Sequence, residues 1–197
     1  MDAKCTSVYN TGVDSLTIIS GGQSGADRAA LDFAIAQGLA HGGWCPRGRM
    51  AEDGPLNAQY RLRETPSRRY GERTEWNIRD SDVTVVFSTR REVSGGTALT
   101  LAIARRLGKP VLHLVHDDPP AEPTAVARTL LTFLHEYDVQ KLNCAGPRAS
   151  QEPRIGEFVT AVLTALIEEW PQTGAKRHKT EGVRRLTQMV ADEEKFS

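Results

Sequence analysis

Residues Ser15–Gln37 read SLTIISGGQSGADRAALDFAIAQ, and this stretch decides the fold. Leu16–Ile19 is a short apolar, β-branched run of the kind that forms a buried strand. Gly21, Gly22 and Gly25 break the chain within five residues, and Ala29, Ala30, Leu31, Phe33, Ala34 and Ile35 then follow helical spacing. Strand, glycine turn and helix in that order aim backbone N–H groups at a helix N-terminus, a geometry that binds anions. Gln23 lies inside the turn. Ser24 and Asp27 also fit the S-x-x-D capping pattern, so capping of the helix is the competing reading of these two residues. The stretch has neither the G-x-G-x-x-G fingerprint nor a Walker lysine.

The rest of the composition narrows the class. The chain has 197 residues, 39% of them hydrophobic, enough for one sizeable core and an appendage. Lys+Arg and Asp+Glu both number 25, so no net charge draws the chain to nucleic acid or to a membrane surface. Three scattered cysteines, Cys5, Cys45 and Cys144, match neither a disulfide framework nor a zinc knuckle, and the five histidines show no metal-ligand spacing. No metal site is expected. The first residues lack an apolar signal region and no stretch reaches membrane-spanning length, which predicts a cytoplasmic protein with reduced thiols.

Beyond the opening unit, strand-like runs at 39–44, 83–87, 111–115 and 139–144 alternate with helical patterns at 71–80, 98–107, 124–137 and 155–170. This alternation predicts an α/β fold: a Rossmann-like open parallel sheet of about five strands with helices on both faces. Right-handed crossovers favour the strand order 2-1-3-4-5. The expected organisation is a flexible N-terminus at 1–14, a ligand-binding domain at 15–170 and a charged, helix-spaced tail at 171–197. The apolar stripe Val183, Leu186 and Val190 of that tail suggests a homo-oligomer contact.

In that order the crevice lies between the first and third strands, where ligands of open α/β sheets bind. The third strand ends in Ser88 and the loop STRREVSGGT, whose Ser94, Gly95, Gly96 and Thr97 repeat the opening device, with Thr100 one turn later. The fifth strand ends in AGPRAS, with Gly146 and Arg148. Arg28, Arg47, Arg73 and Arg148 are candidate guanidinium forks for phosphate or another oxyanion. Arg73, Asn77 and Asp80 share one helix face. Residues 47–70 form a long, Arg-rich segment poor in apolar residues, the kind of loop that is functional or disordered. If it folds over the crevice, Glu52, Asp53 and Glu64, with Asp80, are the candidate acids and bases. Asp27 is alternatively an acceptor for a ribose hydroxyl. Cys45 and Cys144 read as small buried hydrophobes.

Six blocks, GGQSGADRAALDFA, GGWCPRGRMAEDG, YRLRET, RTEWNIRDSD, SGGTALTLA and LNCAGPRAS, together resemble the family named "putative molybdenum carrier proteins". That family belongs to the SLOG superfamily of Rossmann-like nucleotide-binding proteins, with the Lonely Guy phosphoribohydrolases and DNA-processing protein A. The resemblance implies a small anionic ligand: a nucleotide, the molybdenum cofactor, which carries a phosphate, or molybdate. The phosphoribohydrolases carry a catalytic glutamate in P-G-G-x-G-T-x-x-E. Here the matching Ser94–Thr100 segment has no carboxylate, which favours a carrier or sensor over a nucleotide N-glycosidic hydrolase, with a ligand-controlled interaction module as a third class.

Overall fold

The computed structural model describes residues 15–116 and 121–170. The expectations for 1–14 and for the 171–197 tail, including its role in a homo-oligomer, fall outside the described residues. The main sheet has five parallel strands: β1 (Thr17–Ile19), β2 (Ala40–Gly42), β7 (Val83–Ser88), β8 (Val111–Val115) and β9 (Lys141–Ala145). Helices α1 (Ala26–Ala36), α4 (Pro123–Glu136) and α5 (Ile155–Glu169) pack on one face, and α2 (Tyr70–Arg79) and α3 (Gly95–Arg106) on the other. The period-2 rule of strands divides the core between the two faces. Val83, Val85, Phe87, Leu142 and Cys144 join the large cluster with α1, α4 and α5, whereas Ile78, Ile103 and Ala104 close the other face against Val111. The fold class is the one the alternation predicts.

The strand order departs from the expected 2-1-3-4-5. It is β2-β1-β9-β7-β8, so the last strand sits at the centre. Ile18 of β1 pairs with Leu142 of β9, and Asn143 of β9 pairs with Thr84 of β7. The physical reason is burial on two faces. A central strand must present both sets of alternating side chains to packed helices, and β9 does so from Leu142 to Ala145, whereas β8 is only half-buried along most of its length and takes an edge. The change moves the crevice. The helix after β9 lies on the α1 face and the helix after β7 on the opposite face, so the switch point falls between β9 and β7 rather than beside β1.

The Arg-rich segment after β2 is also not a loop over the crevice. Gly43 (φ +132°) breaks the predicted second strand, and the chain continues into a small insert. It holds β3 (Trp44–Cys45) paired with β6 (Arg63–Glu64), and the hairpin β4 (Met50–Ala51) with β5 (Gly54–Pro55). Cys45, Ala51, Leu56, Tyr60 and Leu62 bury themselves against Leu31 of α1. Arg49 staples this insert: its guanidinium donates to the carbonyls of Leu56, Asn57, Tyr60 and Leu62 at 2.9–3.1 Å. An arginine rich in donors thus replaces the ladder that two-residue strands cannot supply.

Candidate functional site

A cleft of about 310 Å³ opens at the carboxyl ends of β9 and β7. Its floor is the end of β9 from Asn143, with Gly146 just beyond it. One wall is α2, through Tyr70, Arg73, Thr74 and Asn77. The other is the start of α3, through Gly95, Gly96, Thr97, Leu99 and Thr100. Gln23 and Asp27 reach in from the β1–α1 turn, and Arg148 and Gln151 from the β9–α5 loop.

The two glycine turns serve different ends. The N–H groups of the β1–α1 turn are largely used within the protein: Gln23 N–H reaches Asp27 (3.4 Å), Ser24 N–H the side-chain oxygen of Gln23 (3.1 Å), and Ala26 N–H the carbonyl of Pro147 (3.2 Å). The predicted S-x-x-D cap does not form. Gly25 takes the N-cap position, and Ser24 Oγ donates to Glu52 and accepts from Ala149 N–H (3.2 Å). Gly25 itself lies flat against the β9–α5 backbone. The start of α3 is different. Ser94 caps it in extended geometry without a side-chain hydrogen bond, and the N–H groups of Gly95, Gly96 and Thr97 have no partner among the described residues. These orphan donors and the positive end of the helix dipole face the cleft. A Cβ at Gly95 or Gly96 would meet nothing within 4 Å. The fold therefore does not require glycine at Gly96, while Gly22 is glycine for the fold, with φ +72° and Leu62 and Leu56 pressed against it.

Arg73 is the cleft's main cation. Its guanidinium lies over Gly21, where any Cβ would stand 1.6 Å from Nη1, and Nη1 donates to Asp27 Oδ2 at 2.7 Å. The pair is nearly dry, with side-chain exposures of 13% and 3%. Two buried side-chain donors, Gln23 Nε2 and Arg73 Nε, have no partner among the described residues. A buried unpaired donor costs about 1–3 kcal/mol, and both such donors belong to cleft-lining residues. Beneath them Asn143 Nδ2 donates to Thr84 Oγ1 (3.1 Å), a buried polar link across β9 and β7. At the rim, the Arg148 guanidinium stacks 4.8 Å from the centre of the Tyr70 ring.

Asn77 lines the cleft but is spent on positioning. Its amide accepts from Trp44 N–H (2.7 Å) and donates to Trp44 O (2.9 Å), imitating a strand partner and tying α2 to β3. Asn77→Ala should destabilise the protein by about 2 kcal/mol, since it strands two part-buried backbone groups of Trp44. A denaturation midpoint unchanged from wild type would remove this role.

The structure brings Gln23, Asp27, Arg73, Asn77, Gly95, Gly96, Thr97, Thr100, Gly146 and Arg148 together at the cleft. Gly21, Gly22, Ser24 and Gly25 stand behind it as support. Ser94 is exposed at the cap of α3. Ser88 is buried, donating to Arg90 O (2.6 Å) and bonded to His113. Arg28 is held by Asp53 in a two-pronged ion pair at 3.1 Å, and Arg47 is exposed in the insert. None of the four candidate acids and bases lines the cleft. Ser150 and Ser24 hydrogen-bond Glu52 and hold its carboxyl below the usual range. Arg28 does the same for Asp53, and Arg79 with Trp44 for Asp80. Glu64 accepts from Gly48 N–H (2.5 Å). Tyr70, Thr74, Leu99, Asn143 and Gln151 also line the cleft without having been singled out in the sequence. Of these, only Asn143 carries a local signal: an amide side chain inside an otherwise buried strand.

The donor set suits an oxygen-bearing anion rather than a metal held by side chains. Among the described residues no three His, Cys, Asp or Glu side chains cluster so as to hold a metal ion. The Cys144 thiol is fully buried on the far face, in the α1–α5 core, and burial pushes its pKa well up, so it offers no thiolate. Among the described residues no helix is long and apolar enough to cross a membrane.

Comparison with known proteins agrees with this architecture. A crystal structure of a "Putative molybdenum carrier protein" from Syntrophus aciditrophicus SB superposes with a TM-score of 0.74 at 41% identity, covering 78% of this chain and 96% of that one. No curated protein matches the chain. The family model described as "Circularly permutated YpsA SLOG family" matches residues 18–167. A permuted chain order accords with a last strand at the centre of the sheet, and the chain belongs to the circularly permuted YpsA SLOG family.

Proposed function

We propose that this protein binds a small phosphate-bearing or oxyanion ligand in the cleft between α2 and α3, as a carrier or sensor. One observation carries the reading: the buried donors Gln23 Nε2 and Arg73 Nε lack partners among the described residues, in the same cleft where the first turn of α3 has no side-chain cap. An anion there would satisfy donors that the fold otherwise leaves unpaired. The similar protein's description as a molybdenum carrier is compatible with such cargo. Glycosidic hydrolysis would need a carboxylate at the reacting atom. Among the described residues Asp27 is the one acidic residue on the cleft, and Arg73 holds it.

Gly96→Val tests the reading. The position has an ordinary φ and open space around it, so the variant should melt within a few degrees of wild type. Its side chain would occupy the space in front of the α3 N–H groups. Native mass spectrometry of wild-type protein should show a retained anionic small molecule, or stabilisation by inorganic phosphate, ribose 5-phosphate or molybdate, and the variant should show neither. Equal retention by folded Gly96→Val protein would remove the start of α3 from the site.

A further inference from the structure

Asp27 places a negative charge in a cleft otherwise furnished for an anion. It is buried, with a side-chain exposure of 3%, and lines the cleft. Both of its hydrogen bonds, from Arg73 Nη1 and Gln23 N–H, end on Oδ2. Oδ1 accepts none among the described residues. Beside it stand the two unpartnered donors, Gln23 Nε2 and Arg73 Nε. The unfilled capacity of the cleft is therefore mixed: donors for an anionic oxygen, and an acceptor for a hydroxyl or N–H.

We infer that Asp27 sets the specificity of the cleft, selecting an anion that also donates a hydrogen bond, such as a hydroxyl-bearing phosphate ester, and rejecting a proton-free oxyanion such as molybdate. This rests on the proposed anion site and narrows it. An ionised carboxylate can only accept. Against a ligand that carries a proton or a hydroxyl, Oδ1 gains a hydrogen bond. Against molybdate, deprotonated at neutral pH, it meets oxygen lone pairs and like charge in a dry site, where such a mismatch is most costly. Sites built around a buried partner for a ligand hydroxyl reject analogues lacking it far more strongly than apolar pockets reject a missing methylene. Inorganic phosphate keeps one proton near neutral pH and so belongs with the accepted class. The cleft, about 310 Å³, also has room for more than one tetrahedral ion.

The test is calorimetric titration of the wild-type protein at pH 7 with ribose 5-phosphate, inorganic phosphate and molybdate, followed by the same series on Asp27→Asn. Wild type should bind ribose 5-phosphate and phosphate at least about tenfold more tightly than molybdate. Asn keeps an oxygen for Arg73 and removes the charge, so the ratio should shift toward molybdate by about tenfold or more. The wild-type series decides even if the variant does not fold. Molybdate binding as tightly as ribose 5-phosphate would overturn the selectivity and leave the anion site standing. Binding of none of the three would overturn the site itself. A preference for ribose 5-phosphate unchanged in folded Asp27→Asn would acquit Asp27.

Discussion

Arg73→Met is expected to weaken ligand binding by about 100-fold and to lower stability by about 3 kcal/mol. The two losses have separate causes. Binding falls because the cleft loses its main cation and the unpartnered Nε donor. Stability falls because Asp27, nearly sealed from water, loses its partner, and truncating one half of a buried pair costs more than the pair itself contributes. Arg73→Lys separates them. The ammonium restores a positive charge near Asp27 but not the planar fork that sets Nη1 on Asp27 while carrying a second, unpartnered donor at Nε. Lys should recover most of the stability and little of the binding. Urea denaturation and calorimetry with ribose 5-phosphate measure the two effects. A Met variant with wild-type affinity would show that α2 takes no part in recognition.

Gly25→Ala is expected to be the most damaging single methyl in the β1–α1 turn, at about 4 kcal/mol. Two costs combine. The backbone at Gly25 has φ +81° and ψ −128°, a conformation that a Cβ makes strained by about 1–3 kcal/mol. The added carbon would also stand 2.5 Å from Pro147 O and 2.6 Å from Ala149 N, backbone atoms of the β9–α5 loop that cannot step aside singly. Forcing the loops apart adds a similar amount. Gly38→Ala is the control, since Gly38 has φ +68° with nothing within 4 Å and should cost only about 1 kcal/mol. Equal midpoints for the two variants would show that loop contact contributes nothing at Gly25.

Much of this architecture is written locally. Each helix of the described residues begins within three residues of its predicted start, because apolar spacing and flanking Gly and Pro are local signals. Strand order is not local. LNCA and VLHLV have similar composition, and only the burial of both faces of β9 shows which of the two is central. The insert was illegible for a related reason. Its strands are two residues long, and its apolar contacts join Leu31 to Leu56 and Leu62, too far apart for any periodic pattern. Of the residues that line the cleft, Gln23 and the Gly95–Thr97 turn were readable from positions after strand ends, and Arg73 from its helix face. The acids were not, because Glu52 and Asp53 look available until the serines and the arginine that hold them come into view.

The central position of β9 also bears on how the protein is made. Until β9 has left the ribosome, β1–β2 and β7–β8 can form only as two separate pairs, each with an open edge that the same missing strand fills. Neither the sheet nor the cleft floor can close until residues 141–146 arrive, so the cleft is among the last parts assembled. Such late, long-range closure slows folding and leaves pairing edges exposed in the nascent chain. The strand that completes the site is thus also the one that shields the chain from edge-to-edge association during synthesis.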